Sequence, residues 1–178
     1  STFSATGKFS AKGNIMSLLY GEEDFRYKKS FSATDALRYL FYNNNKLVDA
    51  GELQLSATTL ANSCYSYMFK ECTALTKAPE LPATTFLKYN CYYEMFEGCK
   101  NLMSVTMLAP SDEITNTASN GHFLYWLDDA GTKATSRTLK VKDKAAYDAL
   151  VSNGALPANY WQTGKCTILD AAGNAIVE

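Results

Sequence analysis

The chain has 178 residues, of which 47% are hydrophobic and 20% charged, enough to bury a sizeable core without disulfides or metals. A formal net charge of -1 excludes the positive excess that a nucleic-acid backbone or an anionic membrane surface would require. Apolar runs such as Ile15 to Tyr20 fall far short of a bilayer span, the five cysteines form no CxxC pair for zinc, and a single histidine leaves little scope for imidazole chemistry.

In chain order, Phe3 to Tyr20 alternates in polarity and is punctuated by Gly7, Gly13 and Gly21, which predicts a β-hairpin or an extended cap. No signal-like segment opens the chain, so an exported protein of this sequence would have lost its leader. Beyond the cap the sequence repeats. Cys64-Tyr65-Ser66-Tyr67-Met68-Phe69-Lys70-Glu71-Cys72-Thr73-Ala74-Leu75 returns as Cys91-Tyr92-Tyr93-Glu94-Met95-Phe96-Glu97-Gly98-Cys99-Lys100-Asn101-Leu102, an offset of 27 from 91 less 64. Ala57-Thr58-Thr59-Leu60 matches Ala83-Thr84-Thr85-Phe86 at an offset of 26, so the second copy has gained one residue before its cysteine. A degenerate copy precedes them, with Leu40 through Leu47 aligned on Met68 through Leu75 at an offset of 28 and Asn44 at the Cys72 position. A fourth places Trp126-Leu127 where Met95-Phe96 stood, after an insertion around Pro110 to Gly121.

Cys91, Met95 and Cys99 are spaced by four, with Tyr92 and Phe96 beside them, which predicts an apolar stripe on a helix of about four turns in each copy. The Ala-Thr-Thr segment would supply the N-cap, and Gly98 with Asn101 the stop. The connecting segments Leu53-Gln54-Leu55, Glu80-Leu81-Pro82, Val105-Thr106-Met107 and Leu139-Lys140-Val141 mostly alternate apolar with polar, as half-buried strands do. A strand, a turn and a helix in 26 to 28 residues make one coil of a solenoid whose equivalent strands lie side by side in a parallel sheet. The end of the chain reads as strand Thr138 to Lys142, helix Asp143 to Val151 capped by Asp143, a turn at Asn153-Gly154, strand Lys165 to Leu169, and a tight turn over Ala171 to Asn174.

The fold expected is therefore α/β, a short leucine-rich-repeat-like β/α solenoid. It divides into an N-terminal β cap over 1–30, repeats over 31–137 and a strand-helix-strand cap over 138–178, together one repeat domain. Three motifs carry a family resemblance: Leu81-Pro82-Ala83-Thr84-Thr85, Cys91-Tyr92-x-x-Met95-Phe96-x-Gly98-Cys99-x-Asn101-Leu102, and the opening Gly13-Asn14-Ile15-Met16-Ser17-Leu18-Leu19-Tyr20-Gly21. On these, about half of the chain resembles the leucine-rich-repeat surface proteins of the BspA-like group of Bacteroides and related bacteria. The resemblance implies a secreted or surface-attached protein with an adhesive or ligand-binding role and no catalytic residues. Ser56 where the motif has Pro82, Asn44 for a cysteine and a distorted fourth coil depart from it.

Cysteines at matched positions read as a ladder of buried thiols, the other reading being bridges of Cys64 with Cys91 or Cys72 with Cys99, and Cys166 reads as a core residue of the last strand. His122 with Asp128 and Asp129 lacks any nucleophile motif, no phosphate-binding glycine motif occurs, and the acidic clusters lack a calcium loop's pattern, so no catalytic, cofactor or metal site is assigned. Function, on this reading, resides in a surface. Tyr67, Tyr89 and Tyr93 lie off the Cys-Met stripe and would form an aromatic patch if they face solvent, the other reading being packing between coils. Gln54, Glu80 and Thr106, with Lys140, would form a second surface on the strand face. The expectation is a non-catalytic extracellular or cell-surface module that binds host or bacterial protein, with a carbohydrate-binding domain using exposed tyrosines as the alternative. Neither nucleic acid nor membrane insertion is expected.

Overall fold

A computed structural model describes residues 2–21, 24–116 and 121–177. The protein is α/β: a six-stranded, wholly parallel sheet whose strands lie in chain order, with few helices. The strands are β1 (Phe9–Asn14), β2 (Leu47–Gln54), β3 (Lys77–Leu81), β4 (Ser104–Met107), β5 (Thr138–Val141) and β6 (Thr167–Leu169). The helices are α1 (Ser111–Ile114) and α2 (Lys144–Ser152). Asp143 caps α2 by accepting from Ala146 N–H at 2.8 Å. The N-terminal segment is not a hairpin. It contributes one strand, β1, parallel to β2, and then a 3-10 turn over Ile15–Leu18 whose N–H of Met16 is capped by the Asn14 side chain.

The predicted helices in the repeats are absent. Residues 34–43, 62–71, 89–98 and 121–130 form arrays of consecutive turns in which every fourth residue has positive φ. These are Asp35, Tyr39 and Asn43; Ser63, Tyr67 and Glu71; Asn90, Glu94 and Gly98; Gly121, Tyr125 and Asp129. They fall at successive offsets of 28, 27 and 31, so the sequence repeat and the conformational repeat coincide. The four-residue spacing of Cys64, Met68 and Cys72 thus reflects a four-residue turn unit and not a 3.6-residue helix.

Hydrogen bonding explains the choice. In the second array the N–H groups of Cys64, Ser66, Met68, Lys70 and Cys72 bond three residues back, at 3.0–3.3 Å. The intervening donors Ser63, Tyr65, Tyr67, Phe69 and Glu71 point outward and bond to Tyr89, Cys91, Tyr93, Met95 and Glu97 carbonyls of the next array, at 2.7–3.0 Å. All of these donors are satisfied, half locally and half between copies, where a helix would keep its bonds to itself. Each non-glycine residue at positive φ costs about 1–3 kcal/mol, offset by this ladder and by what it brings together. Asn, Asp and Gly, which tolerate the left-handed region, hold six of the twelve positions. Gly121 and Gly98 are the tightest cases, because a Cβ would come within 2.5 Å of the Asn90 side-chain oxygen at the first and of the Glu71 carboxylate at the second.

The Ala-Thr-Thr segments, expected as helix caps, instead bridge copies: Ser30, Thr59 and Phe86 pair in parallel, and the Thr59 and Thr85 hydroxyls meet at 3.3 Å. One continuous core lies between arrays and sheet, and it holds Met68 and Met95 together. Phe41, Phe69 and Phe96 stack at centroid spacings of 5.4 Å, and Tyr65 lies over Tyr92 at 5.9 Å. All five cysteines are free; the four in the repeats are buried, and Cys166 is half-buried just before β6. Cys72 and Cys99 donate their thiol hydrogens to Phe41 and Phe69 carbonyls at 3.0 Å, each in the preceding copy. Asn44, standing at the cysteine position of the first copy, does the same to the Phe3 carbonyl at 3.1 Å. At the chain end, Asn153-Gly154 turns as expected, and Asp170 organises the last turn by accepting from Ala172 and Asn174 N–H.

Candidate functional site

Stacking the arrays sets one position of each above the next, and on the side away from the core that position is Tyr39, Tyr67, Glu94 and Tyr125, with Tyr93 beside Glu94 supplying the ring of the third array. Tyr39 stacks on Tyr67 with centroids 4.7 Å apart and planes 15° apart. Tyr67 meets Tyr93 edge-on at 5.3 Å, Tyr93 meets Tyr125 at 6.3 Å, and Tyr42 closes the other end against Tyr39 at 5.4 Å. Five tyrosines thus cross all four arrays. The end rings are open, Tyr125 at 54% and Tyr42 at 38%, while the inner three are half-buried.

Two cations border this row. The Arg38 guanidinium lies 4.9 Å from the Tyr39 centroid and 5.1 Å from that of Tyr67, and the Lys70 ammonium 5.5 Å from Tyr67. Lys70 is ion-paired to Glu94 and, at 3.0 Å, to Glu97. Burial opposes the charge on Lys70, but its hydrogen bonds to the two carboxylates prevail and raise its pKa. Burial also disfavours both carboxylates; Glu94, bonded to Glu97, Lys70 and Tyr93, nonetheless ends below its ordinary range, while Glu97, beside Glu94, ends above. The cluster fixes the inner rings to a charged but nearly balanced surface.

Of the residues singled out from sequence, Tyr67 and Tyr93 belong to this row. Tyr89 is 53% exposed but makes no ring pair among the described residues. On the opposite side, Glu80, Thr106 and Lys140 are direct cross-strand neighbours through β3, β4 and β5. Gln54 and Glu80 are exposed and line a groove of about 780 Å³ with Lys12 and Pro82, whereas Thr106 is half-buried. The two surfaces do not meet. Tyr39, Tyr42, Tyr125, Arg38 and Lys70 escaped the sequence reading, although Tyr39 stands 28 residues before Tyr67 and was reachable by extending the repeat offset.

His122 is buried, with Nε2 3.2 Å from the Ile114 carbonyl oxygen. Asp128 and Asp129 are exposed, and Asp129 pairs with Lys100 at 3.2 Å. Among the described residues no cluster of His, Cys, Asp and Glu has the geometry to hold a metal ion. No protein-family model, no curated protein and no solved structure matches the chain.

Proposed function

We propose that the chain is a non-catalytic interaction module, a short β/α solenoid related to the leucine-rich-repeat surface proteins of the BspA-like group, secreted or displayed at a bacterial surface. Stacked sequence copies and a parallel sheet in chain order support the solenoid reading. In this reading β1 with the turn after it, and α2 with β6, act as the caps of a single repeat domain.

The observation that carries the binding role is the five-tyrosine row flanked by Arg38 and Lys70. Rigid rings held in place before contact lose little entropy when a partner covers them, and tyrosine and arginine are favoured at interface centres. The partner proposed is an extracellular protein. Capture from host extracellular proteins by the immobilised chain, compared with a Tyr39→Ala, Tyr67→Ala, Tyr125→Ala variant, tests this. Partners retained equally by the variant would refute the role of the row.

A second reading, carbohydrate binding, is favoured by the open rings of Tyr89 and Tyr125. Glycan-array signals lost on Tyr89→Ala and Tyr125→Ala would support it, and a silent array would count against it.

A further inference from the structure

The ladder between arrays has a direction: the outward N–H groups of each array bond to carbonyls of the next array along the chain. The third array obeys this rule, with Tyr92, Glu94, Phe96 and Gly98 donating to His122, Leu124, Trp126 and Asp128 at 2.9–3.0 Å. In the fourth array the inward half of the pattern persists, since Leu124, Trp126, Asp128 and Ala130 bond three residues back. The outward half has no acceptor. The N–H groups of Phe123, Tyr125, Leu127 and Asp129 bond to nothing among the described residues.

The reason is a mismatch of structure. In place of a fifth array the chain forms α2, a true helix whose carbonyls serve its own N–H groups, and the chain is fastened there by side chains instead. Trp126 Nε1 donates to the Ala155 carbonyl at 2.7 Å, and Trp161 Nε1 to the Ala130 carbonyl at 2.9 Å. Between array and helix end is a groove of about 380 Å³, with Phe123, Tyr125 and Leu127 on one wall and Asn153, Ala155 and Pro157 on the other. Leu124 and Tyr125 stand exposed at its rim.

We infer that this groove binds a short peptide, which adds to the fourth array as the missing layer by repeating the array conformation and presenting carbonyls at every second residue to the N–H groups of Phe123, Tyr125 and Leu127. In the three existing layers the acceptors are carbonyls at alternate residues of a neighbouring turn array, and the peptide completes the same ladder, as strand addition completes a sheet. Asp128 in the groove and Asp129 beside it disfavour an anionic ligand, so the peptide is neutral or basic at these positions. Apolar side chains on the peptide would pack on Leu124 and Tyr125.

The probe is a pool of acetylated, amidated hexapeptides in which Ser or Thr alternates with Leu, Val or Tyr, read by amide NMR of the full chain. The expected result is saturable binding with slowed exchange at the Phe123, Tyr125 and Leu127 amides. Reducing a peptide carbonyl to methylene should weaken binding about tenfold at alternate positions and leave the others nearly unchanged. Leu124→Glu should weaken it as well, whereas Tyr67→Ala, which tests the tyrosine row, should not. Three outcomes overturn the inference: no member of the pool protects these amides, inorganic phosphate or acetate alone protects them equally, or raising the protein concentration alone does so, which would make the occupant a second copy.

Discussion

Tyr65 and Tyr92 are fully buried, their rings parallel within 2° and 5.9 Å apart, and neither hydroxyl has a hydrogen-bond partner among the described residues. The same position is Leu37 in the first array and Phe123 in the fourth, so the fold asks for an apolar side chain there and nothing more. Burying an unsatisfied hydroxyl costs about 1–3 kcal/mol, whereas a Tyr→Phe change leaves ring packing intact. Tyr65→Phe and Tyr92→Phe are each expected to stabilise the protein by at least about 1 kcal/mol, equivalent to a rise of roughly 2–4 °C in Tm for a chain of this size. The stacked rings share an environment, so the double variant should fall short of the sum. Urea unfolding with an unchanged m-value is the assay, and loss of stability in either single variant would refute the reasoning.

Three further outcomes are expected from the same contacts. Burial raises the Cys64 and Cys72 thiols from 9.0 to about 12, so the folded state holds protons that the unfolded chain releases; their stabilising contribution is complete below about pH 9 and is lost as pH rises towards 12, at about 1.4 kcal/mol per thiol per pH unit, measurable as a fall in urea midpoint. In native protein a thiol reagent should titrate Cys166 first, because it is the one cysteine that is not buried. Asn44→Ala removes a donor to Phe3 and the acceptor for the N–H groups of Lys46 and Leu47, and is expected to cost about 2–3 kcal/mol, more than the roughly 1 kcal/mol of the exposed cap change Asp143→Ala in the same unfolding assay.

Repeat, sheet and core were legible because each rests on matched side chains. Cys64 with Cys91 and Phe69 with Phe96 gave the register, and alternation marked β2 to β5, although β2 begins six residues earlier than Leu53 because Leu47 and Ala50 are buried on a longer strand. The array conformation was not legible. Residues spaced by four lie on one face of a helix and equally on one face of a four-residue turn unit, and side-chain burial alone does not separate the two. A signal was nonetheless present: Asn43, Ser63, Asn90, Gly98 and Asp129, poor helix formers, recur at that spacing. The N-terminal segment misled for a related reason, since alternation does not say whether a strand's partner is antiparallel and adjacent or parallel and 38 residues on, as Leu47 is to Phe9. The tyrosine row was half visible, Tyr67 and Tyr93 being found by their distance from the Cys-Met stripe and Tyr39 and Tyr125 missed where the copies degenerate.

A backbone whose donors alternate between neighbours within and neighbours beyond has a parity. Deleting one residue inside an array would exchange the two sets, aiming each remaining outward N–H at its own turn, and deleting two would keep the sets but displace the positive-φ positions, so length changes within arrays should be lethal to assembly unless they come in fours. Between arrays no such parity operates. The chain's own history agrees: the residue gained between Thr85 and Cys91 and the longer insertion around Pro110 to Gly121 both fall in connectors, which makes those connectors the places where a loop or a tag can be introduced without loss of the stack.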